Sequence, residues 1–588
     1  MTEGIAPDRI VPTSTLAPKG RTGRLRGSLS VWPVISVVIA LLVAVPVLVV
    51  GGHVFQPAGE VWRHLASTVL WDYVRNTLVL LLGVGAGVAV IGVGTAWLVT
   101  MCRFPGGRLF EWLLLLPLAF PAYVLAYVYT YLLQSGGPAQ IALREMTGWR
   151  YGDYWFPEVY SIEGAIAMFA LVLYPYVYLL ARAAFLSQSI CVLEVSRTLG
   201  CGPWRSFFRV AIPLARPAII GGVTLALMET MADFATVQYF AVNTFTTGIY
   251  RTWFGLGDRV AAAQLSAVLL ALVLGLLLLE RLSRGEARYH HTSGRYTHIS
   301  QVQLRGWKAA LAALACALPI LLGAVLPAAV LLEMHLSVGD PYFGSRFIGY
   351  AVNSFVVAGL AAVLAVILSL LIAYGQRLKP SALVRGAARV AALGYAVPGS
   401  VIAVGILIPL ASFDNALDGW MRSSFGLSTG LLLSGTIVAL LYAYVARFLA
   451  VSLNAVDAGL AKVTPSMDQA ARTLGKGPGR TIWQVHVPMI SGSVLTAGLI
   501  VFVDVMKELP ATLIVRPFNF DTLAIRVYSL ASDERLEQAA TGSLAIVLVG
   551  MVPVILLSLM IARSPAGRAA VRPIRKGRVP KDAPFPVP

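Results

Sequence analysis

The chain has 588 residues, of which 57% are hydrophobic and only 13% are charged. Soluble proteins carry roughly 25% charged residues, and the mean hydropathy of this chain is +0.76. The composition therefore excludes a soluble globular protein and indicates an integral membrane protein. The formal charge of +18 does not indicate nucleic-acid binding, because basic residues of membrane proteins mark cytoplasmic loops and contacts with lipid headgroups.

Apolar segments of about 20 residues, the length needed to cross a bilayer, recur along the chain. They predict an all-α membrane protein with about twelve transmembrane helices in two tandem six-helix domains. The predicted spans of the first half are 31–50, 76–101, 109–133, 162–185, 217–240 and 262–280. Those of the second half are 308–333, 352–376, 388–412, 428–453, 490–514 and 541–562.

The predicted domains follow from these spans. A first transmembrane domain at 31–285 and a second at 307–563 are joined by a cytoplasmic linker at 286–306 and flanked by tails at 1–30 and 564–588. Basic loops resist translocation, which places both termini in the cytoplasm and leaves Lys507 as the one basic residue within a span. The linker holds His290, His291 and His298, and a solvated tether is favoured over a metal site because no carboxylate or Cys completes a ligand set.

One polar, glycine-bearing segment occurs twice. RTLGCGPWRSFFRVAIP from Arg197 and RTLGKGPGRTIWQVHVP from Arg472 share nine of 17 residues at an offset of 275. TFTTGIYR from Thr244 and NFDTLAIR from Asn519 continue the repeat. Both halves should enter the membrane in the same orientation, because six is even. We therefore expect a pseudo-two-fold axis along the membrane normal and a pathway at the interface of the halves.

Each polar copy should form a helix, a turn and a second short helix. Gly200 and Gly475 can end a helix in a left-handed conformation, and Pro203 and Pro478 can begin the next one. A single copy could be an amphipathic helix resting on headgroups. Two copies at matching positions favour docking on a two-fold cytoplasmic partner.

The repeated segments resemble the cytoplasmic coupling loop of ABC importer permeases, which reads roughly Glu-Ala-Ala, three residues, Gly, then a hydrophobic residue and Pro. The first coupling loop (188–216) matches this pattern at Glu194, Arg197, Gly200 and Pro213. The second coupling loop (457–489) matches it at Gln469, Ala470, Ala471, Arg472, Gly475 and Pro488. Val195 and Ser196 replace the two alanines of the pattern in the first loop, and Gln469 replaces the glutamate in the second. The resemblance implies that the loops sit in clefts of two copies of a cytoplasmic ABC ATPase.

The chain lacks the G-x-x-x-x-G-K-[ST] spacing that wraps a phosphate. ATP and Mg²⁺ should therefore bind the partner ATPase, and we expect no cofactor in this chain. No His/Asp or Cys/His group recurs at a predicted interface, so an enzyme such as a membrane-embedded transferase is not favoured.

Acidic residues inside the fifth span of each half are functional candidates, because charge is expensive within a membrane. ALMETMADFATVQYF places Glu229 and Asp233 four residues apart, and VFVDVMKELPATLIV places Asp504 and Glu508 at the same spacing. This spacing places the two residues of each pair on one helical face. Lys507 could complete a structural ion-pair network. Alternatively, the four carboxylates line a pathway for a hard multivalent cation, which prefers oxygen ligands. Pro510 should bend the second of these helices.

The stretch from Asp504 to Ala540 resembles ferric-iron importers whose two permease domains are fused into one chain, and the run from Lys507 to Pro510 is its most specific part. The resemblance implies a bacterial inner-membrane permease that works by alternating access. It also implies a periplasmic iron-binding protein as partner. Fe³⁺ would be a transient substrate with the four carboxylates as its ligands. Thiamine importers share this layout and remain an alternative. An ATP-independent secondary transporter is the alternative from another class.

Overall fold

The computed structural model describes residues 31–57, 59–187, 203–284, 301–340 and 344–563. These residues are almost wholly helical, which confirms the all-α prediction. The strands among them are the two-residue segments Cys102–Arg103 and Val302–Gln303, which pair in parallel. Both terminal tails and the three linker histidines lie outside the described residues.

The described residues contain ten helices long and apolar enough to cross a membrane, and up to 12 spans if each of two bent pairs is one span. The bent pairs are Gly107–Ala119 with Ala122–Thr147, at 91°, and Pro478–Met489 with Ser491–Met506, at 82°. The remaining spans are Val31–His53, Leu70–Met101, Ile162–Leu186, Phe207–Ala232 and Arg259–Ser283 in the first half, and Trp307–Ser337, Ser345–Leu378, Gly399–Phe425, Ile437–Leu460 and Leu536–Leu556 in the second half. This arrangement agrees with six predicted spans per half.

Short helices connect the spans. Those of the first half are Glu60–Thr68, Ala235–Tyr239 and Phe245–Tyr250. Those of the second half are Ala382–Ala391, Pro465–Thr473, Pro510–Val515 and Leu523–Ser532.

Two predicted spans of the second half are misplaced. The predicted span 388–412 corresponds to Gly399–Phe425, because Pro398 precedes a new helix and the apolar residues before it form separate short helices. The predicted span 428–453 corresponds to Ile437–Leu460. Residues 428–436 form a loop instead, since the carboxylate of Asp414 accepts hydrogen bonds from the backbone N–H groups of Leu433 and Ser434.

Wide turns with π-helical hydrogen bonding interrupt three spans near a proline. They cover Phe207–Ala211, Leu321–Val325 and Ile482–His486, and a proline follows two residues after each one, at Pro213, Pro327 and Pro488. Proline has no N–H and its ring crowds the carbonyl of residue i−4, so the preceding helical turn cannot close normally. The first and third of these turns lie 275 residues apart, which extends the predicted duplication to backbone geometry.

The first helix of each half packs against the other half. Val31–His53 contacts the second half: the Tyr442 hydroxyl donates to the carbonyl of Leu42 at 2.6 Å, and the Trp32 and Tyr374 rings lie 5.1 Å apart. In the reciprocal contact, the Tyr129 hydroxyl of the first half donates to the carbonyl of Leu322 at 2.7 Å. The two halves are thus interlocked through exchanged helices.

A close backbone approach fixes the first exchanged helix. A β-carbon added at Gly405 would lie 2.3 Å from the carbonyl oxygen of Pro46. At that distance either the exchanged helix or the helix Gly399–Phe425 would have to shift. Helix contacts within membranes depend on such small residues, because dispersion contacts between close backbones replace the hydrophobic effect.

We expect Gly405→Ala to lower the free energy of unfolding of the detergent-purified chain by about 1–3 kcal/mol, the usual effect of overpacking. Denaturant titration in micelles measures this loss. Gly419→Ala is the matched control, because it lies in the same helix and a β-carbon there meets nothing within 4 Å. Equal losses in the two variants would contradict the interlocked packing.

Candidate functional site

Both acidic spans are interrupted at their carboxylates. The first ends at Ala232, and Asp233 is extended, with φ −72° and ψ 139°. The second ends at Met506, and a new helix begins at Pro510. The prediction that each acidic pair shares one continuous helical face is therefore wrong. We name these interruptions the first-half break (residues 233–234) and the second-half break (residues 507–509).

The acidic residue of each break caps the helix that follows. The Asp233 carboxylate accepts hydrogen bonds from the Thr236 backbone N–H at 2.8 Å and hydroxyl at 3.1 Å. The Glu508 carboxylate accepts from the backbone N–H groups of Ala511 at 2.9 Å and Thr512 at 3.0 Å. Such caps satisfy N–H groups that a helix start leaves unpaired. The predicted bend lies at Pro510, but the first-half break forms without a proline, so capping is the feature common to both.

Two basic residues and one tyrosine hold the carboxylates. Arg447 pairs with Glu508 at 3.0 Å through Nη1 and approaches Glu229 at 3.9 Å through Nη2. Lys507 Nζ lies 3.0 Å from Asp504 Oδ1. The Tyr395 hydroxyl donates to Glu229 Oε1 at 2.7 Å. Glu229 of the first half is therefore held by two residues of the second half, and this network joins the halves directly.

The charged groups surround a single cavity of about 110 Å³, which we name the acidic cavity. Its charged lining residues are Glu229, Asp233, Arg447, Asp504, Lys507 and Glu508. Four carboxylates and two cations give a formal charge of −2. No group of three or more His, Cys, Asp or Glu side chains in the described part of the chain is arranged to hold a metal ion. The four carboxylates thus line one cavity without forming a cluster of three, and each also has a partner within the protein.

Aromatic side chains complete the wall of the acidic cavity. They are Phe120, Tyr123, Phe169, Tyr176 and Phe448. The first half contributes four of them, Phe120 and Tyr123 at the bend of its third span and Phe169 and Tyr176 from its fourth span. The second half contributes Phe448 from its fourth span. The wall of the acidic cavity therefore combines charged and aromatic side chains.

A second cavity of about 1000 Å³, which we name the wide cavity, adjoins the first. The two share Leu118, Tyr176, Asp504 and Lys507 as lining residues. The wide cavity is mainly apolar and extends to Arg281 near the end of the helix Arg259–Arg284. The shared residues form the constriction between the two cavities.

The two halves do not contribute equally to the acidic cavity. At the 275-residue offset, Arg447 corresponds to Val172 and Lys507 corresponds to Ala232. Both cations of the acidic cavity therefore come from the second half, whereas each half supplies two carboxylates. The two halves therefore share the positions of their breaks, but the charged residues that they contribute to the acidic cavity differ.

Arg447 is the main functional candidate that sequence reasoning missed. The expectation that Lys507 alone lies within a span is wrong, because Arg447 is buried in the middle of Ile437–Leu460, with its side chain 8% exposed. A lone Arg in the apolar run LLYAYVARFLAVSL was the available signal, since such residues in spans are functional candidates by default. Tyr395 and Tyr123 carried no comparable signal, because tyrosine is common in apolar helices.

The second coupling loop has the predicted helix, turn and helix. Pro465–Thr473 ends before Gly475, which has φ +73°, and Pro478 begins the next helix. Ala471 is buried, and Gln469, Ala470 and Arg472 are exposed. Leu474, at the tip of the loop, is 76% exposed. In the first coupling loop, Glu194, Arg197 and Gly200 lie outside the described residues, while Pro213 lies in the first turn of Ile212–Ala232.

Asp468 anchors the second coupling loop to the membrane helices. Its carboxylate lies 2.8 Å from Arg377 Nε and 2.5 Å from His486 Nε2. Arg377, at the end of Ser345–Leu378, also donates to the carbonyls of Leu460 and Val463 at 2.9 and 2.7 Å. A displacement of the helix Pro465–Thr473, which carries Asp468, would therefore be transmitted to the end of Ser345–Leu378.

Comparison with known proteins adds independent findings. A family model described as binding-protein-dependent transport system inner membrane component matches residues 88–285. The molybdenum transport system permease protein ModB of Escherichia coli is 33% identical over 202 residues, which are 33% of this chain and 84% of that protein.

Longer relatives match both halves. The Fe(3+)-transport system permease protein FbpB 2 of Haemophilus influenzae is 26% identical over 490 residues, covering 83% of this chain and 89% of that protein. The ferric transport system permease protein FbpB of Actinobacillus pleuropneumoniae is 24% identical over 530 residues, covering 85% of this chain and 72% of that protein. The fused two-domain layout is therefore shared with proteins of similar length.

We expect Arg447→Met to lower the free energy of unfolding by about 3–5 kcal/mol, because it leaves the buried Glu508 carboxylate without its countercharge. Adding Glu508→Gln should restore part of the loss, and denaturant titration of the single and double variants gives the coupling. Arg182→Met is the matched control, since its ion pair with Glu111, also 3.0 Å long, is more exposed and lines neither cavity. Additive effects of the Arg447 and Glu508 variants would contradict the pairing.

Proposed function

The chain belongs to the family of binding-protein-dependent transport system inner membrane components, and from that premise we propose that it is the permease of an ATP-driven importer of Fe³⁺. A member of this family is a transport permease and not an enzyme. The proposed substrate is delivered by a periplasmic iron-binding protein, and two copies of a cytoplasmic ABC ATPase supply the energy. The proposed location is the bacterial inner membrane, with both termini in the cytoplasm and the domains at 31–285 and 307–563.

The acidic cavity is the observation that carries the proposed substrate. Four carboxylates face two cations there, and a multivalent hard cation would remove the excess negative charge with oxygen ligands. The acidic cavity has a volume of only about 110 Å³. Pockets for organic ligands are usually about 300–1,000 Å³. A metal ion with a partial shell suits the acidic cavity better than a vitamin does.

Two long relatives that match both halves are named as ferric permeases, which supports the same substrate. The name of the shorter relative refers to molybdenum. The excess of carboxylates over cations in the acidic cavity disfavours an anionic substrate.

A thiamine-type organic cation is the second candidate. Five aromatic side chains line the acidic cavity, and aromatic faces attract organic cations. The wide cavity, at about 1000 Å³, has room for such a molecule. The small volume beside the carboxylates favours Fe³⁺ between these two.

The proposed transport cycle uses alternating access. When the ATPase pair closes on ATP, the coupling loops move together, and the ion pair of Asp468 with Arg377 carries this motion to the span Ser345–Leu378. The acidic cavity then opens toward the binding protein. Hydrolysis resets the bundle, and the ion leaves past Asp504 and Lys507 into the wide cavity. An ATP-independent transporter would have no use for the exposed tip at Leu474.

In vesicles holding the chain, its ATPase and the binding protein, we expect ATP-dependent uptake of Fe³⁺ and not of thiamine. Asp504→Asn and Glu229→Gln should each lower iron uptake about tenfold, since a contact to a charged group contributes roughly 1.5–3 kcal/mol. Asp457→Asn is the matched control, because this residue of Ile437–Leu460 lines neither cavity. Uptake of thiamine alone would favour the second candidate. Uptake of Fe³⁺ without ATP would contradict the ATP-driven mechanism.

We expect Gly475→Pro to uncouple ATP hydrolysis from uptake. Proline cannot adopt the φ of +73° found there, and it removes the N–H that donates to the carbonyl of Arg472 at 3.0 Å. The ratio of iron imported to ATP hydrolysed measures the coupling. Gly477→Pro is the matched control, because its φ of −69° suits proline. A normal ratio in Gly475→Pro would argue against the role of the loop.

A further inference from the structure

Tyr123 brings a buried hydroxyl to the acidic cavity. The residue lies in the first turn of the helix Ala122–Leu133, directly after the bend at Pro121, and is 3% exposed. Its hydroxyl has no hydrogen-bond partner among the described residues. A buried hydroxyl left unpaired costs about 1–3 kcal/mol, and either a water molecule or an ion in the acidic cavity would supply its partner.

The surroundings of this hydroxyl define the chemistry of that partner. Tyr123 lines the acidic cavity together with Asp233 and Glu508. One carboxylate belongs to each break. The Tyr123 ring lies 5.7 Å from the Tyr127 ring, and this contact fixes its direction. Three oxygen-bearing groups therefore face one small space.

We propose that the Tyr123 phenol oxygen is a direct ligand of the transported cation, together with the carboxylates of Asp233 and Glu508. The proposal rests on Fe³⁺ as substrate and deepens it, because Fe³⁺ is a hard cation that prefers anionic oxygen ligands. On binding, the phenol O–H bond breaks as an Fe–O bond forms, one oxygen ligand that the iron brought with it departs and carries the proton away, and the oxidation state of the iron does not change.

The duplication makes this ligand one-sided. Aligning Pro121 with Pro398, the residues that precede the helices Ala122–Leu133 and Gly399–Phe425, places Tyr123 opposite Ser400. Ser400 is not among the residues that line the acidic cavity, and its shorter side chain reaches less far. The first half thus supplies the phenol, whereas the second half supplies Arg447 and Lys507. The cation would bind between Tyr123, Asp233 and Glu508, where the Glu508 carboxylate also pairs with Arg447 at 3.0 Å.

Tyr123→Phe tests the proposal, because it removes the hydroxyl and keeps the ring. Tyr127→Phe is the matched control: its hydroxyl is also buried without a partner among the described residues, but Tyr127 does not line the acidic cavity. The full chain, with its ATPase and binding protein in vesicles, is assayed for Fe³⁺ uptake. We expect about a tenfold loss in Tyr123→Phe, at the lower end of the effect of removing even an outer partner of a metal, and no change in Tyr127→Phe.

A spectroscopic measurement separates ligation from packing. Ferric citrate is added to the detergent-purified complex, and the visible charge-transfer band of a ferric phenolate is sought by difference absorption. We expect the band in the wild type and Tyr127→Phe and its loss in Tyr123→Phe. Normal uptake or an unchanged band in Tyr123→Phe would overturn the ligand while leaving the Fe³⁺ function intact. Equal uptake losses in both variants would also overturn it. A wild type that imports no Fe³⁺ would overturn both proposals.

Discussion

A helix that stops inside a bilayer leaves backbone N–H groups that lipid cannot satisfy. In this protein the fifth span of each half stops near its acidic residues, and the carboxylates of Asp233 and Glu508 accept the hydrogen bonds of the helix that follows. The capping groups must lie at the breaks, so the breaks bring negative charge to the interface of the halves. That charge in turn requires Arg447 and Lys507 nearby. The geometry of the acidic cavity follows from this backbone constraint.

The mechanical connections of the protein run through the same elements. The second coupling loop is tied to Ser345–Leu378 by the ion pair of Asp468 with Arg377. Beyond its wide turn, the loop leads directly into the span that ends at the second-half break. A force on the loop therefore acts on the same span that carries Asp504. In the proposed cycle, this continuity couples the ATPase to the residues that contact the ion.

The sequence predicted the duplication, the number of spans and the geometry of the second coupling loop. These features depend on local composition and on residues such as Gly475 and Pro478. It predicted the bend at Pro510 but not the first-half break, which forms without a proline. Both acidic segments are as apolar as their neighbours, and their interruption depends on capping by a side chain. The exchange of first helices was equally out of reach, since it depends on which surfaces meet in the folded bundle. Arg447 was within reach, but the assignment of basic residues to loops concealed it.

The exchange of helices and the unequal charges together give the covalent link between the halves a further consequence. Two copies of the first half would enclose four carboxylates with no cation, and two copies of the second half would enclose four carboxylates with four cations. Only the mixed pair has a surplus of two negative charges. Joining the halves in one polypeptide makes every assembled protein a mixed pair. Each copy of the protein therefore has the same net charge of −2 among the residues that line its acidic cavity.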